Sequence, residues 1–439
     1  HCYFTLTIIL LFINIVFLHA SHNPKDNVKY IFINKTFYTE HEINKLTHLI
    51  DSTKNESAQN SHIFDSIKSE SAQLTTLVNE SKNEINNLKS LSNDSCQINY
   101  GISVIISLFR YPREYVEIKL AEQLALCEKY NIPILIKLDC EVWMNSRSDL
   151  WNWWDKSLPG YNPKNIDNVE RFGWEKDKAL KIGWLNWGRQ IRMLPMINLY
   201  SKKYRKAVTK ELRHFASEIY KWQNSLPNER KYLFGGIVLG WESSIGVTNY
   251  YYTNGNDLLD KNPKDDPVNI INIKELPSRG VQTIGYAAVE SAKIANDGVL
   301  NDTMQAEVIY RHLRDMSKIV FDQKIPKTKI YTHTGGWKKF ESLYNSALNE
   351  YSLPGWSFYE YAFDVKADES ISNLIKNNNI NNWGAVEWLL QGSDKNENDW
   401  INGFNNAFDF GANIVSIYNF GDVVNNKNAI KAIAKLTSN

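Results

Sequence analysis

Two glutamates stand where an apolar strand gives way to a loop. Glu242 follows the run Gly235-Gly236-Ile237-Val238-Leu239 and is preceded directly by Trp241. Glu387 lies inside Gly384-Ala385-Val386-Glu387-Trp388. A carboxylate there is costly for a core and well placed for a site. Two carboxyls facing one pocket can cleave a glycosidic bond. One protonates the leaving oxygen while the other attacks the sugar or activates a water. Other chemistries have less support. Ser243 and Ser244 lack the pattern of a nucleophile elbow. Gly335-Gly336 is too short to cradle a phosphate. Beyond residue 100 the histidines are His214, His312 and His333, and Cys96, Cys127 and Cys140 show no C-x-x-C spacing. That pattern predicts neither a metal centre nor a cofactor.

The elements that position these glutamates follow from the alternation after residue 99. Short apolar runs at 102–108, 133–138, 180–184, 233–241, 329–332, 356–359, 384–386 and 412–418 read as strands. Amphipathic stretches at 114–130, 203–223, 282–295, 304–323, 371–376 and 400–408 read as helices between them. Eight strands alternating with helices predict an α/β fold, a (β/α)₈ TIM barrel over roughly 99–425 of the catalytic segment 99–439. In such a barrel the C-terminal strand ends carry the site. They offer Asp139 and Glu141 on strand two, Asn186 near strand three, Trp241 and Glu242 on strand four and His333 on strand five. Tyr359 ends strand six, Glu387 strand seven and Asn419 strand eight. Trp337 and Trp388, beside these positions, are the indoles best placed as sugar platforms. The connection 249–280 is too long for an ordinary βα link, so its Tyr250-Tyr251-Tyr252 is expected over the pocket or at its rim.

With Glu242 closing strand four and Val386-Glu387-Trp388 closing strand seven, the chain resembles the clan A glycoside hydrolases, the 4/7 superfamily of TIM barrels. The resemblance implies that Glu242 is the general acid/base and Glu387 the nucleophile, with retention of configuration. Trp241 stands where that clan usually has an asparagine. Two alternatives remain open on the residues themselves. One is a non-catalytic carbohydrate-binding barrel; the other is an inverting glycosidase using the same carboxylates.

The remaining features bear on location and partners. Residues 1–20, HCYFTLTIILLFINIVFLHA, read as a secretory signal whose apolar run is short for a membrane span. Secretion predicts oxidising surroundings. Three cysteines after the signal allow at most one internal disulfide. Residues 21–98 are polar and hold neither Trp nor Gly, with apolar residues at helical steps such as Ile43, Leu46 and Ile50. They read as a helical or partly disordered N-terminal arm that offers a surface for self-association. Sequons at Asn34, Asn55, Asn79, Asn93 and Asn301 predict N-glycosylation. A net charge of +1 gives no pull toward nucleic acid or, once the signal is removed, toward a membrane. The expected partner is a carbohydrate or glycoconjugate. All 14 tryptophans fall after residue 142, which suits stacking on sugar rings as well as core packing.

Overall fold

The computed structural model describes residues 28–70, 97–186, 190–247, 249–252, 281–335, 341–392 and 394–438. The side chains of 56–70, Asn186, Gln190, Tyr250, Tyr252, Val281 and Glu341 lie outside that description. Eight parallel strands form the centre: β1 (Lys29–Lys35), β2 (Ile98–Ser107), β3 (Ile134–Asp139), β4 (Phe234–Leu239), β5 (Ile330–Thr332), β6 (Gly355–Phe358), β7 (Trp383–Trp388) and β8 (Ala412–Tyr418). Their order around the sheet is β6-β7-β8-β1-β2-β3-β4-β5. Parallel bridges Tyr331↔Leu353 and Thr334↔Trp356 join β5 to β6 and close the circle. Each strand is followed by a helix: α1 (Glu40–Glu70), α2 (Arg113–Tyr130), α3 (Lys202–Ser225), α4 (Asp302–Phe321), α5 (Glu341–Asn345), α6 (Glu369–Asn377), α7 (Glu397–Asp409) and α8 (Lys427–Leu436). The fold is a (β/α)₈ barrel, as the alternation of patterns predicts.

Its first strand is not where the apolar pattern suggests. Lys29–Lys35, KYIFINK, pairs with β2 on one side and β8 on the other. The barrel therefore begins at residue 29 and not at 99. The segment 180–184 is no barrel strand. Gly183–Asn186 pairs antiparallel with Gln190–Met193 and with Asn249–Tyr252, in a small sheet completed by Val281–Gln282. One strand is gained before residue 99 and one lost after it, so strands four to eight keep their numbers.

Packing explains why KYIFINK serves as a strand. Phe32 points into the barrel, and its ring fills space that Gly101 and Gly235 leave open. A Cβ on Gly235 would lie 2.2 Å from Phe32 Cζ, and one on Gly101 2.9 Å from Cε1. Tyr30, Phe32, Leu135, Val238, Tyr331, Val386 and Ile414 form one apolar cluster in the barrel's interior. The helical stripe Ile43, Leu46 and Ile50 is fully buried in the main core. That face of α1 is turned into its own barrel. Gln123 on α2 holds the entry to α1 with bonds to the Tyr38 backbone, donating to O at 2.9 Å and accepting from N at 2.8 Å. No described helix is long and apolar enough to cross a membrane.

The sequons separate. Asn34 sits on β1 at 0% exposure, which removes it as a glycosylation acceptor. Asn55 and Asn301 are exposed, Asn301 also capping α4 by accepting from Met304 N. Asn79 and Asn93 lie outside the described residues, as do the signal segment and Cys96. Cys127 and Cys140 are buried free thiols.

Candidate active site

Glu387 reaches the pocket because β7 carries an extra residue. Along β6, Trp356 pairs with Ala385 while the next residue, Ser357, pairs with Glu387, skipping Val386. The register with β8 shifts over the same stretch. A bulge of this kind re-aims side chains. Val386 stays in the interior cluster, Glu387 turns to the barrel mouth and Trp388 turns outward.

Glu242 leaves β4 through a sharp turn. Gly240 has φ +85° and Glu242 itself φ +50°, a left-handed conformation uncommon for a residue with a Cβ. The turn is pinned from both sides. Ser243 N donates to His333 O at 2.9 Å, tying it to β5. Ser243 Oγ donates to the Glu141 carboxylate at 2.7 and 2.8 Å, and His312 Nε2 stands 3.1 Å from the same carboxylate. Side chains would crowd this turn: a Cβ on Gly240 would lie 2.1 Å from Ser243 Oγ.

The two carboxyls share one buried environment. Burial first, and the Glu387 charge second, push the Glu242 carboxyl up to about 8, against a bond from Ser357 and the positive Lys137. At neutral pH Glu242 is then the protonated member. Glu387 has partners suited to an anion. Tyr359 OH donates to Oε1 at 2.5 Å, and Lys137 Nζ lies 3.6 Å from Oε2. Burial pushes the Lys137 ammonium down, while both carboxylates work against that shift. One ammonium, one carboxylate and one neutral acid sum to zero, the arrangement that costs least in a low dielectric. Burial and the two glutamates also hold the Tyr359 phenol far above its ordinary range, so it remains a donor.

The remaining sequence candidates separate by place. His333 is fully buried, with Nε2 2.8 Å from Ser357 Oγ, and burial holds it well below its usual range and therefore neutral. It supports the Glu242 side of the pair through Ser357, not the Glu387 side. Asp139 turns its carboxylate back on the chain, accepting from Glu141 N at 2.8 Å and Val142 N at 3.1 Å; burial pushes it up to about 6. Glu141 is occupied by Ser243 and His312, so Asp139 at the end of β3 and Glu141 just after it shape loops beside the site. Trp241 is half-buried next to Glu242. Asn419 caps the helix Phe420–Val424, accepting from Gly421 N at 3.0 Å.

Trp388 is not a sugar platform. It is 0% exposed, donates its indole N–H to Ala362 O at 2.8 Å and packs on Trp400 and Phe404. Tyr251 is buried too, stacked on Phe172 at 4.0 Å between centroids. Trp337, residues 253–280 and the side chains of Asn186 and Tyr250 lie outside the described residues.

No protein-family model matches the chain, and no curated protein is similar to it in sequence. Solved structures do match in shape. The catalytic domain of a β-amylase from Paenibacillus polymyxa is 8% identical, with 92% of this chain and 95% of that one covered and a TM-score of 0.45. A GH5-4 broad-specificity endoglucanase from an uncultured bacterium is 8% identical over 77% of this chain and 81% of that one, with a TM-score of 0.38. A family 5 glycoside hydrolase from Prevotella bryantii is 7% identical over 77% and 82%, with a TM-score of 0.34.

Three residues of the site escape a reading of strand ends. Lys137 lies within β3, Ser357 within β6 and Tyr418 ends β8, where both glutamates push its phenol up behind the effect of burial. Only Lys137 leaves a trace in the sequence: a lone charge inside Ile134-Leu135-Ile136-Lys137-Leu138. Among the described residues no group of His, Cys, Asp and Glu has the geometry to hold a metal ion.

Proposed function

We propose that the protein is a glycoside hydrolase acting on a β-linked glycan or glycoconjugate with retention of configuration. The observation that carries this reading is the asymmetry of the carboxyl pair. Glu242 is pushed to about 8 and holds a proton, and Glu387 is held by a phenol donor and an ammonium. These are the states a retaining hydrolase starts from. Glu242 donates its proton to the glycosidic oxygen as the bond to the leaving group breaks. Glu387 attacks the anomeric carbon and forms a glycosyl ester. Glu242, now ionised, takes a proton from water, which opens the ester and returns both groups to their first states. The charge of Glu387 is consumed when the ester forms, which removes the main partner repelling a proton-free Glu242. The acid therefore becomes a better base at the step that needs one.

Secretion through residues 1–20 belongs to the same proposal. It is supported by the apolar run 6–18 and the exposed sequon sites Asn55 and Asn301.

A panel of aryl β-glycosides with NMR of the first-formed anomer tests the reading. The expected outcome is turnover with a β-product, abolished by Glu387→Gln. An α-product would replace retention by inversion. Absence of turnover on every glycoside, together with saccharide binding, would leave the binding-protein alternative.

A further inference from the structure

Three buried side chains brace the turn that carries Glu242. Ser243, the next residue in sequence, places its Oγ 2.7 and 2.8 Å from the two oxygens of Glu141 and donates to that carboxylate. His312 on α4 stands with Nε2 3.1 Å from Glu141 Oε1. A carboxylate only accepts, so Nε2 is the donor. The side chains of Glu141 and His312 are 8% and 4% exposed, and Ser243 is buried. A carboxylate is thus kept out of water beside the site, and a hydroxyl and an imidazole stand in for its hydration.

Glu141 is itself fixed from behind. Its N–H donates to Asp139 Oδ1 at 2.8 Å. Tyr204 OH, on α3, donates at 3.1 Å to the carbonyl of Cys140, the residue before it. The Tyr204 ring lies against that of His312, 5.9 Å between centroids. The brace therefore ties the end of β3, α3 and α4 to one point after β4. Gly240 makes room for it: a Cβ there would lie 2.1 Å from Ser243 Oγ and 3.3 Å from Glu141 Oε1. What the brace fixes is the conformation of Glu242. Its φ of +50° is strained for a residue with a Cβ and persists only where the surroundings impose it. Glu387 is held elsewhere, by Tyr359 and Lys137.

We infer that Glu141, Ser243 and His312 are positioning residues for Glu242: they hold its carboxyl where the leaving-group oxygen arrives and do not act on the nucleophile. The inference rests on the proposed glycosidase reading for the reaction, and on the bonds alone for the positioning. The test uses Ser243→Ala and Glu141→Gln in the full chain, with kcat/KM measured on two aryl β-glycosides, one with a poor leaving group and one activated. Only the poor leaving group needs the proton of the acid. A misplacement of about 1 Å can cost roughly a hundredfold. Each variant should lose about ten- to a hundredfold on the poor leaving group and only a few-fold on the activated one. Tyr359→Phe, on the nucleophile's side, should lower both alike. Equal losses on both substrates from the Ser243 and Glu141 variants would reduce the trio to a brace of the fold and overturn the inference, and so would wild-type rates. His312→Ala should repeat the selective loss. His312→Gln should recover most of it, because its amide nitrogen can stand where Nε2 stands; no recovery would remove His312 from the trio.

A second readout needs no turnover. Carbon-13 NMR follows the titration of the Glu242 carboxyl, assigned by its disappearance in Glu242→Gln. Loosening the turn admits water, so the midpoint should fall toward the ordinary carboxylate range in Ser243→Ala and Glu141→Gln. An unmoved midpoint overturns the positioning. A wild-type chain that turns over no glycoside, but whose Glu242 midpoint falls in both variants, would sink the glycosidase reading and leave the positioning standing.

Discussion

Lys137 and Glu387 face each other from β3 and β7, with Nζ 3.6 Å from Oε2 and neither side chain more than 4% exposed. An isolated charge at either place would be expelled or neutralised. Together, with Glu242 protonated, they make a buried set of zero net charge. The lysine stands beside Glu387, while burial is the main reason that Glu242 keeps its proton.

Lys137→Met keeps the length of the side chain and removes the charge. Turnover should fall by about a hundredfold, the usual size of losing one preorganised electrostatic partner, while the circular dichroism spectrum stays unchanged. A folded variant with wild-type kcat would mean that the ammonium has no part in setting the pair.

The pH dependence follows from Glu242. A general acid at about 8 is protonated below that pH and lost above it, so activity should decline as pH rises through about 8. Stability has the same sign. The folded state binds a proton that the unfolded chain releases above its ordinary value of 4.5, so stability falls as pH rises from there to about 8. Asp139 at about 6 titrates in the same window with the same sign, as does Glu170, a fully buried carboxyl that accepts from Ala287 N and Ala288 N and that burial pushes up to about 7. The comparison is therefore Glu242→Gln against wild type at each pH. The variant should melt higher by several degrees at pH 8, about 1–2 kcal/mol, and by little at pH 5. Equal melting curves at both values would contradict the burial argument.

Tyr359→Phe removes one donor from Glu387 and nothing else of size. Steady-state kinetics should show kcat lowered by roughly ten- to a thousandfold with KM nearly unchanged. A rise in KM alone would make Tyr359 a substrate contact and not a partner of the nucleophile.

Residues 29–35 are predicted to be indispensable to the barrel. Phe32→Ala should cost about 3–5 kcal/mol in chemical denaturation. Gly235→Ala, whose methyl would sit 2.2 Å from Phe32 Cζ, should cost about 1–3 kcal/mol by overpacking. A chain beginning at residue 99 that still unfolds cooperatively would argue against β1 as the first strand.

Trp388→Ala should act on stability and not on substrate affinity. Loss of a fully buried indole costs about 3–5 kcal/mol. A raised KM with an unchanged melting temperature would return Trp388 to the pocket.

The sequence by itself determined the repeating unit and the two carboxyls. Apolar runs alternating with amphipathic helices need a parallel sheet covered by helices. Glu242 and Glu387 were visible because an acid closing an apolar strand has no place in a core. Tertiary structure decided the rest, for reasons local pattern does not contain. KYIFINK is a short run inside a polar segment, and it is a strand only because Gly101 and Gly235, 69 and 203 residues away from Phe32 in sequence (101 − 32 and 235 − 32), leave room for that ring. The run 180–184 has strand character, but its partners are the antiparallel strands of a loop sheet and not the barrel. Strict alternation would turn Glu387 outward, and only the extra residue in β7 turns it inward. Trp388 then goes to the core by the same geometry. Lys137, Ser357 and Tyr418 belong to the site through proximity across the barrel, a distance that sequence spacing does not encode.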